Sequence, residues 1–400
     1  MKKVYIMAAK RTAIGKFLGA IATVPAAELA ATVIRAIIAE TRVNPADIDE
    51  VIVGNVLHAG QRQGVARQAA IRAGIPVEVP AHGLNMICGS GMRSVIAAYR
   101  AIKSGEASLV LAGGTESMSG AGFILPAAAR SGVKMGDLAA LDHVVCDGLT
   151  DAFSGLHMGI TAENIAERHA ISREEQDAFA IASQRKAISA IDAGKFKQEI
   201  VAVEVASRAG TTRFDTDEFP NRATSLEKLA ALKPAFKKEG TVTAGNASGI
   251  NDGASFLLVA SGEAADRLGI APLAEIIATG QAGVDPSIMG MGPVPAIARA
   301  LRAASLALTD VELIELNEAF AAQSLGVIRQ LAADHDATGE WIASRANVNG
   351  GALALGHPIG ASGNRIVVTL LHEMIRAGKH VGLASLCIGG GMGCALLLRR

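Results

Sequence analysis

The chain has 400 residues, which at roughly 150 per domain makes about two to three domains and excludes a small disulfide-stapled scaffold. Its 38 Lys and Arg balance 38 Asp and Glu, so there is no global basic field to hold a nucleic-acid backbone. Half the residues are apolar and 44 are glycine, against about 28 at a norm of 7%, which excludes disorder and points to a tightly packed, turn-rich fold with few aromatics to stack on a ligand.

After Lys2 and Lys3, the apolar stretch 4–9 stops at Lys10 and Arg11, too short for a signal-peptide core, and no later run reaches the length of a membrane span. A cytoplasmic chain with no membrane partner is therefore expected. Residues 4–8 and 50–56 read as strands and 26–40 as a helix, an alternation that implies a mostly parallel sheet covered by helices. Residues 120–249 break this rhythm with Gly-rich and charged segments, including 213–222 and 232–238, and a long insertion of this kind reads as functional cover. Within it, Ser172 followed by Glu175 predicts a capping box and a helix to about Ala193, ended by Gly194. The rhythm resumes with a helix over 295–303, a strand at 311–316, a helix through Leu331 and another over 363–377.

The chain reads as duplicated, because three echoes occur in order. Residues 48–55 resemble 310–317, both ending in Asn; 90–95 resemble 362–367; and 109–114 resemble 384–390, at offsets of 262, 272 and then 275 or 276.

Cys88, Cys146, Cys387 and Cys394 are too few and too scattered for a disulfide framework, and no Cys-x-x-Cys pair suggests zinc, so a reducing compartment is expected. Cys88 sits in Cys-Gly-Ser-Gly just before a helix, where helix amides would lower a thiol's pKa and favour a thiolate nucleophile; a small buried apolar residue is the alternative. His357 occupies the duplicate turn, so a two-fold-like packing would bring it near Cys88 as a base, although a His before Pro also suits an ordinary loop. Cys387 is followed by Gly389, Gly390 and Gly391, whose backbone could approach a ligand and form an oxyanion hole, or simply end a packed strand. Asn317, between a strand and a helix, can cap the helix or hold a water, and the small polar loop 243–253 could let a narrow ligand lie against backbone. No Gly-x-Gly-x-x-Gly opens a helix, which argues against a nicotinamide site.

Together, Cys88-Gly-Ser-Gly, the Asn-Glu-Ala-Phe block at 317, the Gly-His-Pro-x-Gly block at 356 and Cys387-x-Gly-Gly-Gly-x-Gly resemble the thiolase family over essentially the whole chain. The resemblance implies a five-layered α-β-α-β-α fold from two duplicated α/β halves. Residues 1–119 plus 250–271 would form the first half, 272–400 the second, and 120–249 a loop domain over the coenzyme A site. It implies that Cys88 is acylated, that His357 activates its sulfur and that Cys387 moves the proton at the α-carbon of acetyl-CoA. Asn317 would hold a water at the enolate oxygen, and the amides of Cys88 and Gly389 would face the acylation oxyanion. Ala247, Ser248, His157, Met158, Met289 and Phe320 would line the pantetheine and acyl site, with Arg222 and Arg185 toward the nucleotide phosphates. The His157-Met158 pair resembles the short-chain type, which implies condensation of two acetyl-CoA to acetoacetyl-CoA and CoA, or thiolysis. Coenzyme A thioesters are then substrates, no separate cofactor or metal is implied, and the assembly would be a homotetramer built as a dimer of dimers. A thiolase for longer or dicarboxylic 3-oxoacyl chains, and a non-catalytic coenzyme A or lipid carrier, are the alternatives. Decarboxylative ketoacyl synthases of similar fold carry a second histidine where this chain has Cys387, and Cys146 and Cys394 match no block.

Overall fold

Alternation across the strands sorts the side chains into layers. The structure, a computed structural model, describes residues 2–208 and 210–400. In strand Leu109–Ser117, Leu109 and Leu111 pack into one apolar cluster, while Val110 and Ala112 pack into another. Strand Asn251–Ser261 divides the same way, with Phe256 and Leu258 on one face and Leu257 and Val259 on the other. Helices Ala26–Thr41 and Val65–Arg72 cover one outer face, Ser90–Ser104 and Ile359–Ala377 fill the middle, and Pro293–Ala304 and Ala321–Asp334 cover the other outer face. This is the five-layered α-β-α-β-α arrangement.

Duplication is visible in the strand order. One half runs Ala81–Leu84, Glu50–Gly54, Leu109–Ser117, Asn251–Ser261, Val4–Thr12; the other runs Leu313–Leu316, Val381–Ile388, Met392–Arg399, Ala274–Gly283, with an Ile314–Ala346 bridge where Ala81–Leu84 would stand. Five of the eight neighbouring pairs in this order are antiparallel, so the sheet is mixed and not mostly parallel as the alternation implies; only the pairs flanking Glu50–Gly54 and the pair Leu313–Leu316 with Val381–Ile388 are parallel. The halves meet where Tyr5 pairs with Glu275, and each of those two strands bulges at the matching place, between Ile6 and Ala8 and between Ile276 and Ala278.

Hydrogen bonds correct the register of two of the three sequence echoes. Asp49 accepts the backbone N–H groups of Ser108 and Leu109, and Glu312 accepts those of His380 and Val381, so these are the equivalent positions. The first echo is therefore out by one residue and the third by three or four, and the counterpart of Asn317 is Gly54, not Asn55. A one-residue slip exchanges the two faces of a strand, but where both faces are apolar the sequence pattern scarcely registers it. The helix echo holds. A Cβ on Gly91 would lie 2.8 Å from the Asn364 nitrogen and one on Gly363 2.6 Å from the Met92 nitrogen, the reciprocal contact that a two-fold relation requires.

The first strand runs on to Thr12, past the charges at which the apolar run stops. Arg11 is fully buried there, with Asp217 at 2.7 Å and Glu199 at 2.5 Å supplying the counter-charge that burial demands. Residues 120–249 contain short strands and several helices, of which Arg173–Asp192 begins with the predicted capping box at Ser172 and Glu175 and is followed by Gly194 at φ +68°. Helix Ile359–Ala377 begins one turn earlier than its periodicity suggests, directly after Pro358, its extended N-cap.

Candidate active site

The Cys88 turn is held by its neighbours' side chains. Asn85 Oδ1 accepts the Ile87 N–H at 2.9 Å, and Ser90 Oγ accepts the Met86 N–H at 2.8 Å while donating to the Ile87 carbonyl at 2.7 Å. These bonds keep Ile87 at φ +46°, a left-handed conformation that a β-branched residue adopts only when its surroundings compel it. Cys88 follows, and Gly89 begins helix Ser90–Ser104 without a side-chain cap; the Gly89 and Ser90 N–H groups turn back to the Met86 and Ile87 carbonyls at 3.0 Å, so the amides facing the sulfur are those of Gly389 and of Cys88 itself. Burial nevertheless pushes the Cys88 thiol up to about 11, opposed by the Gly389 N–H and its own N–H and reinforced by Glu116. The sequence expectation of a lowered thiol pKa is thus reversed, because removal from water outweighs the helix terminus.

His357 is buried at the end of a glycine-rich approach, where Gly351 is crowded by the Glu318 carboxyl and Gly356 takes φ +101°. Its backbone N–H donates to Asn251 Oδ1 at 2.9 Å, and its Nδ1 lies 2.6 Å from Ser362 Oγ. Ser362 spends its one hydrogen on the Pro358 carbonyl at 2.9 Å, so toward His357 it can only accept. That assigns the ring proton to Nδ1. Nε2 is left as an unprotonated, buried nitrogen with no partner. Burial first, and then Arg365, pull the imidazole down to about 4, so it is neutral at pH 7.

Strand Val381–Ile388 carries Cys387, buried to 1% exposure, with burial and then the adjacent Cys88 sulfur holding its thiol far above the ordinary range. The neighbouring strand positions Asn317, whose N–H donates to the Ser385 carbonyl at 3.0 Å. Asn317 Nδ2 stands 3.5 Å from His357 Nδ1, which already carries a proton, so the two are neighbours and not a hydrogen-bonded pair, and Asn317 Oδ1 is buried without a partner. A Cβ on Gly389 would lie 3.4 Å from Ile87 Cγ2 and 3.6 Å from Met158 Sδ, so Gly389, Met158 and the Cys88 turn share one wall. A Cβ on Gly363 would lie 3.4 Å from the Cys88 carbonyl, which puts the start of the His357-bearing helix against the same turn.

The surrounding residues are stitched to this centre. Ser248 donates its N–H to the Ala319 carbonyl at 3.0 Å, Ala247 bridges to Phe320, and the Ala321 N–H reaches the Asn246 carbonyl at 2.9 Å. His157 Nδ1 caps helix Met158–Arg168 by accepting the Gly159 N–H at 3.0 Å. Its ring stacks on Phe236 at 4.6 Å, and Phe236 meets Phe320 edge-on at 6.2 Å. Met158, Met289 and Phe320 belong to one apolar cluster. An open groove runs past Lys16, Asn221, Lys228 and Leu232 to Ala247.

Other singled-out residues lie apart. Arg222 is exposed and holds Asp192 with both terminal nitrogens, at 2.5 and 3.0 Å, and Arg185 is exposed on helix Arg173–Asp192. Cys146 is exposed, and Cys394 is buried beside Gln281 on the next strand. Ser362, Pro358 and Phe236 have roles that sequence reasoning does not assign. A lone aromatic in the charged stretch 232–238 is the signal that could mark Phe236. Nothing local marks Ser362, because its task depends on an imidazole five residues away across a turn.

Comparison with known proteins identifies the family. The family model for the thiolase N-terminal domain matches residues 4–263, and that for the thiolase C-terminal domain matches 270–400. An acetyl-CoA acetyltransferase of Pseudomonas aeruginosa is 54% identical and one of Chromobacterium violaceum 55%, each over 100% of both chains. Among solved structures, the acetyl-CoA acetyltransferase from Syntrophomonas wolfei superposes with a TM-score of 0.97 at 42% identity, covering 100% of both chains. Human mitochondrial 3-ketoacyl-CoA thiolase in complex with CoA gives 0.94 at 44% identity, over 100% of this chain and 98% of that one.

Proposed function

The chain belongs to the thiolase family, and from that premise we infer that it is an acetyl-CoA acetyltransferase, joining two acetyl-CoA into acetoacetyl-CoA and CoA or running the reverse thiolysis. The observation that carries the chemistry is the pair of neighbouring sulfurs, the half-buried Cys88 and the buried Cys387, with the Gly389 amide directed at the first.

In the first half-reaction, His357 Nε2 takes the proton from Cys88 Sγ as the sulfur bonds to the thioester carbonyl carbon. The amides of Cys88 and Gly389 receive the oxyanion, the carbon–sulfur bond to CoA breaks, and the departing thiolate takes the proton of Cys387, leaving a Cys387 thiolate beside the protonated imidazole. In the second, the Cys387 thiolate takes a proton from the methyl carbon of a new acetyl-CoA. The enolate oxygen is held by the Nε2–H of His357 and a water on Asn317, its carbon attacks the acetyl-Cys88 carbonyl, and the Cys88 sulfur leaves with the proton from Nε2. Two neutral groups, a thiol near 11 and an imidazole near 4, suit a site where charge appears only as the acyl group arrives.

The coenzyme A thioesters are substrates, and no separate cofactor is needed for this chemistry. Pantetheine would lie along Ala247 and Ser248 toward the groove cations, with Arg222 swinging from Asp192 to a phosphate. The His157, Phe236 and Phe320 rings and Met158 narrow the space beside Gly389, which supports short acyl chains over longer ones. Exposed Phe123, Leu125 and Met135, at 72%, 54% and 94%, form an apolar projection that supports assembly into a homotetramer. Four free cysteines support a reducing cytoplasm, and the acyl-CoA chemistry supports a place in lipid metabolism; among the described residues no helix is long and apolar enough to cross a membrane.

Mass spectrometry after mixing with acetyl-CoA tests this reading: an acetyl group on Cys88 is expected, and acetoacetyl-CoA synthesis without any adduct would overturn it. A kcat/KM for a long 3-oxoacyl-CoA above that for acetoacetyl-CoA would overturn the short-chain assignment.

A further inference from the structure

Glu116 is fully buried beside the site and takes no part in the transfer described above. Its carboxylate receives four N–H donors: Asn55 Nδ2 at 2.7 Å, Leu57 at 3.2 Å, Val56 at 3.0 Å and Gly360 at 3.0 Å. The Asn55 amide also donates to the Thr115 carbonyl at 3.1 Å, which fixes the end presented to Glu116 as nitrogen. Every one of these partners is a donor, so the surroundings are built for the anion, while burial pushes the carboxyl up to about 8. The titratable groups facing it are Asp252, which raises it further, and Cys88, whose thiol it raises in turn.

Gly360 is the second residue of helix Ile359–Ala377, and Pro358, its N-cap, has no capping side chain. Glu116 therefore caps that helix from a remote strand of the other half. A Cβ on residue 360 would lie 2.5 Å from the carboxylate, which is why glycine stands there. At the corrected register the counterpart of Glu116 is Ile388, packed against Gly89 at the head of the Cys88 helix. One helix terminus in the middle layer thus gives its leading N–H, that of Gly360, to a carboxylate, while at the other the equivalent Cys88 N–H faces its own sulfur.

We propose that Glu116 is a positioning residue: held by four donors, it fixes the first turn of the helix whose lead-in carries His357. This rests on Cys88 being the nucleophile.

The test is kcat and KM for thiolysis of acetoacetyl-CoA, with the rate of Cys88 alkylation by iodoacetamide, in the full-length protein. In Glu116→Gln an amide meets donors, so the His357 lead-in shifts and kcat should fall at least tenfold while KM and the alkylation rate stay within twofold of wild type. Glu116→Asp keeps a carboxylate that falls short of Gly360, so kcat should fall less. Unchanged kcat in Glu116→Gln would remove the positioning role, and alkylation and KM rising with the loss of kcat would mean that the site has merely loosened; either overturns the proposal. If Glu116→Gln does not fold, the same readouts in Glu116→Asp decide it. An absent acetyl adduct on wild-type Cys88 would instead sink the nucleophile assignment itself.

Discussion

The turns at residues 85–91 and 357–363 are equivalent by the pseudo-two-fold, and a single missing hydrogen separates their tasks. In the first, the Met86 N–H occupies Ser90 Oγ, so the serine braces the Cys88 backbone. In the second, Pro358 stands where Met86 does and has no N–H, leaving Ser362 Oγ free to accept from His357 Nδ1. Likewise Cys88 matches Gly360 and Asn85 matches His357. Duplication supplied the frame, and chemistry was divided between its copies by changing which donors and acceptors remain free.

The most severe way to break the division is Cys88→Ala, which removes the reactive atom from one turn. Loss of the acetyl adduct and a fall in kcat of at least about 10⁴-fold are expected by mass spectrometry and steady-state kinetics. Removing the base from the other turn with His357→Asn should cost about 10²- to 10⁴-fold in kcat, and residual acetyl-CoA/CoA exchange at the wild-type rate would contradict the role given to Nε2.

The contact between the turns is tested by Gly91→Ala, whose methyl would press on the backbone of Gly360, Ala361 and Asn364. A loss of about 1–3 kcal/mol in urea unfolding is expected, and an unchanged midpoint would deny the close approach. Ionisation probes the same turn. The Cys88 thiol is raised from 9.0 to about 11, so between those values the unfolded chain has released a proton that the folded chain keeps. Cys88 should therefore contribute a loss of stability as pH rises through that window, a contribution abolished in Cys88→Ala. The smallest change sharpens the comparison most: Pro358→Ala restores the N–H that Met86 has and should lower kcat about threefold to tenfold by competing for Ser362.

Much of this could be read before folding. The capping box at Ser172 is local, and so is the Gly-rich turn before helix Ser90–Ser104, because a few adjacent residues satisfy their own backbone there. Cys88, His357, Cys387 and Asn317 were recognisable as blocks of residue type. The direction of the Cys88 shift was not, since helix amides are a sequence feature and desolvation is not. Strand register also escaped: Asp49 and Glu312 declare it only through bonds to Ser108, Leu109, His380 and Val381. The end of the first strand was hidden because Arg11 looks like a surface charge until Glu199 and Asp217, about two hundred residues away, arrive to neutralise it.

Sequence by itself determined the alternating α/β plan, its repetition and the chemical types at the centre, since each depends on order and period along the chain. Tertiary structure alone decided which copy of the turn gives its leading N–H to a carboxylate, which imidazole nitrogen is bare, and that two thiols stay protonated. Those outcomes depend on how many donors and how much water reach a buried atom, and both are set by segments distant in sequence.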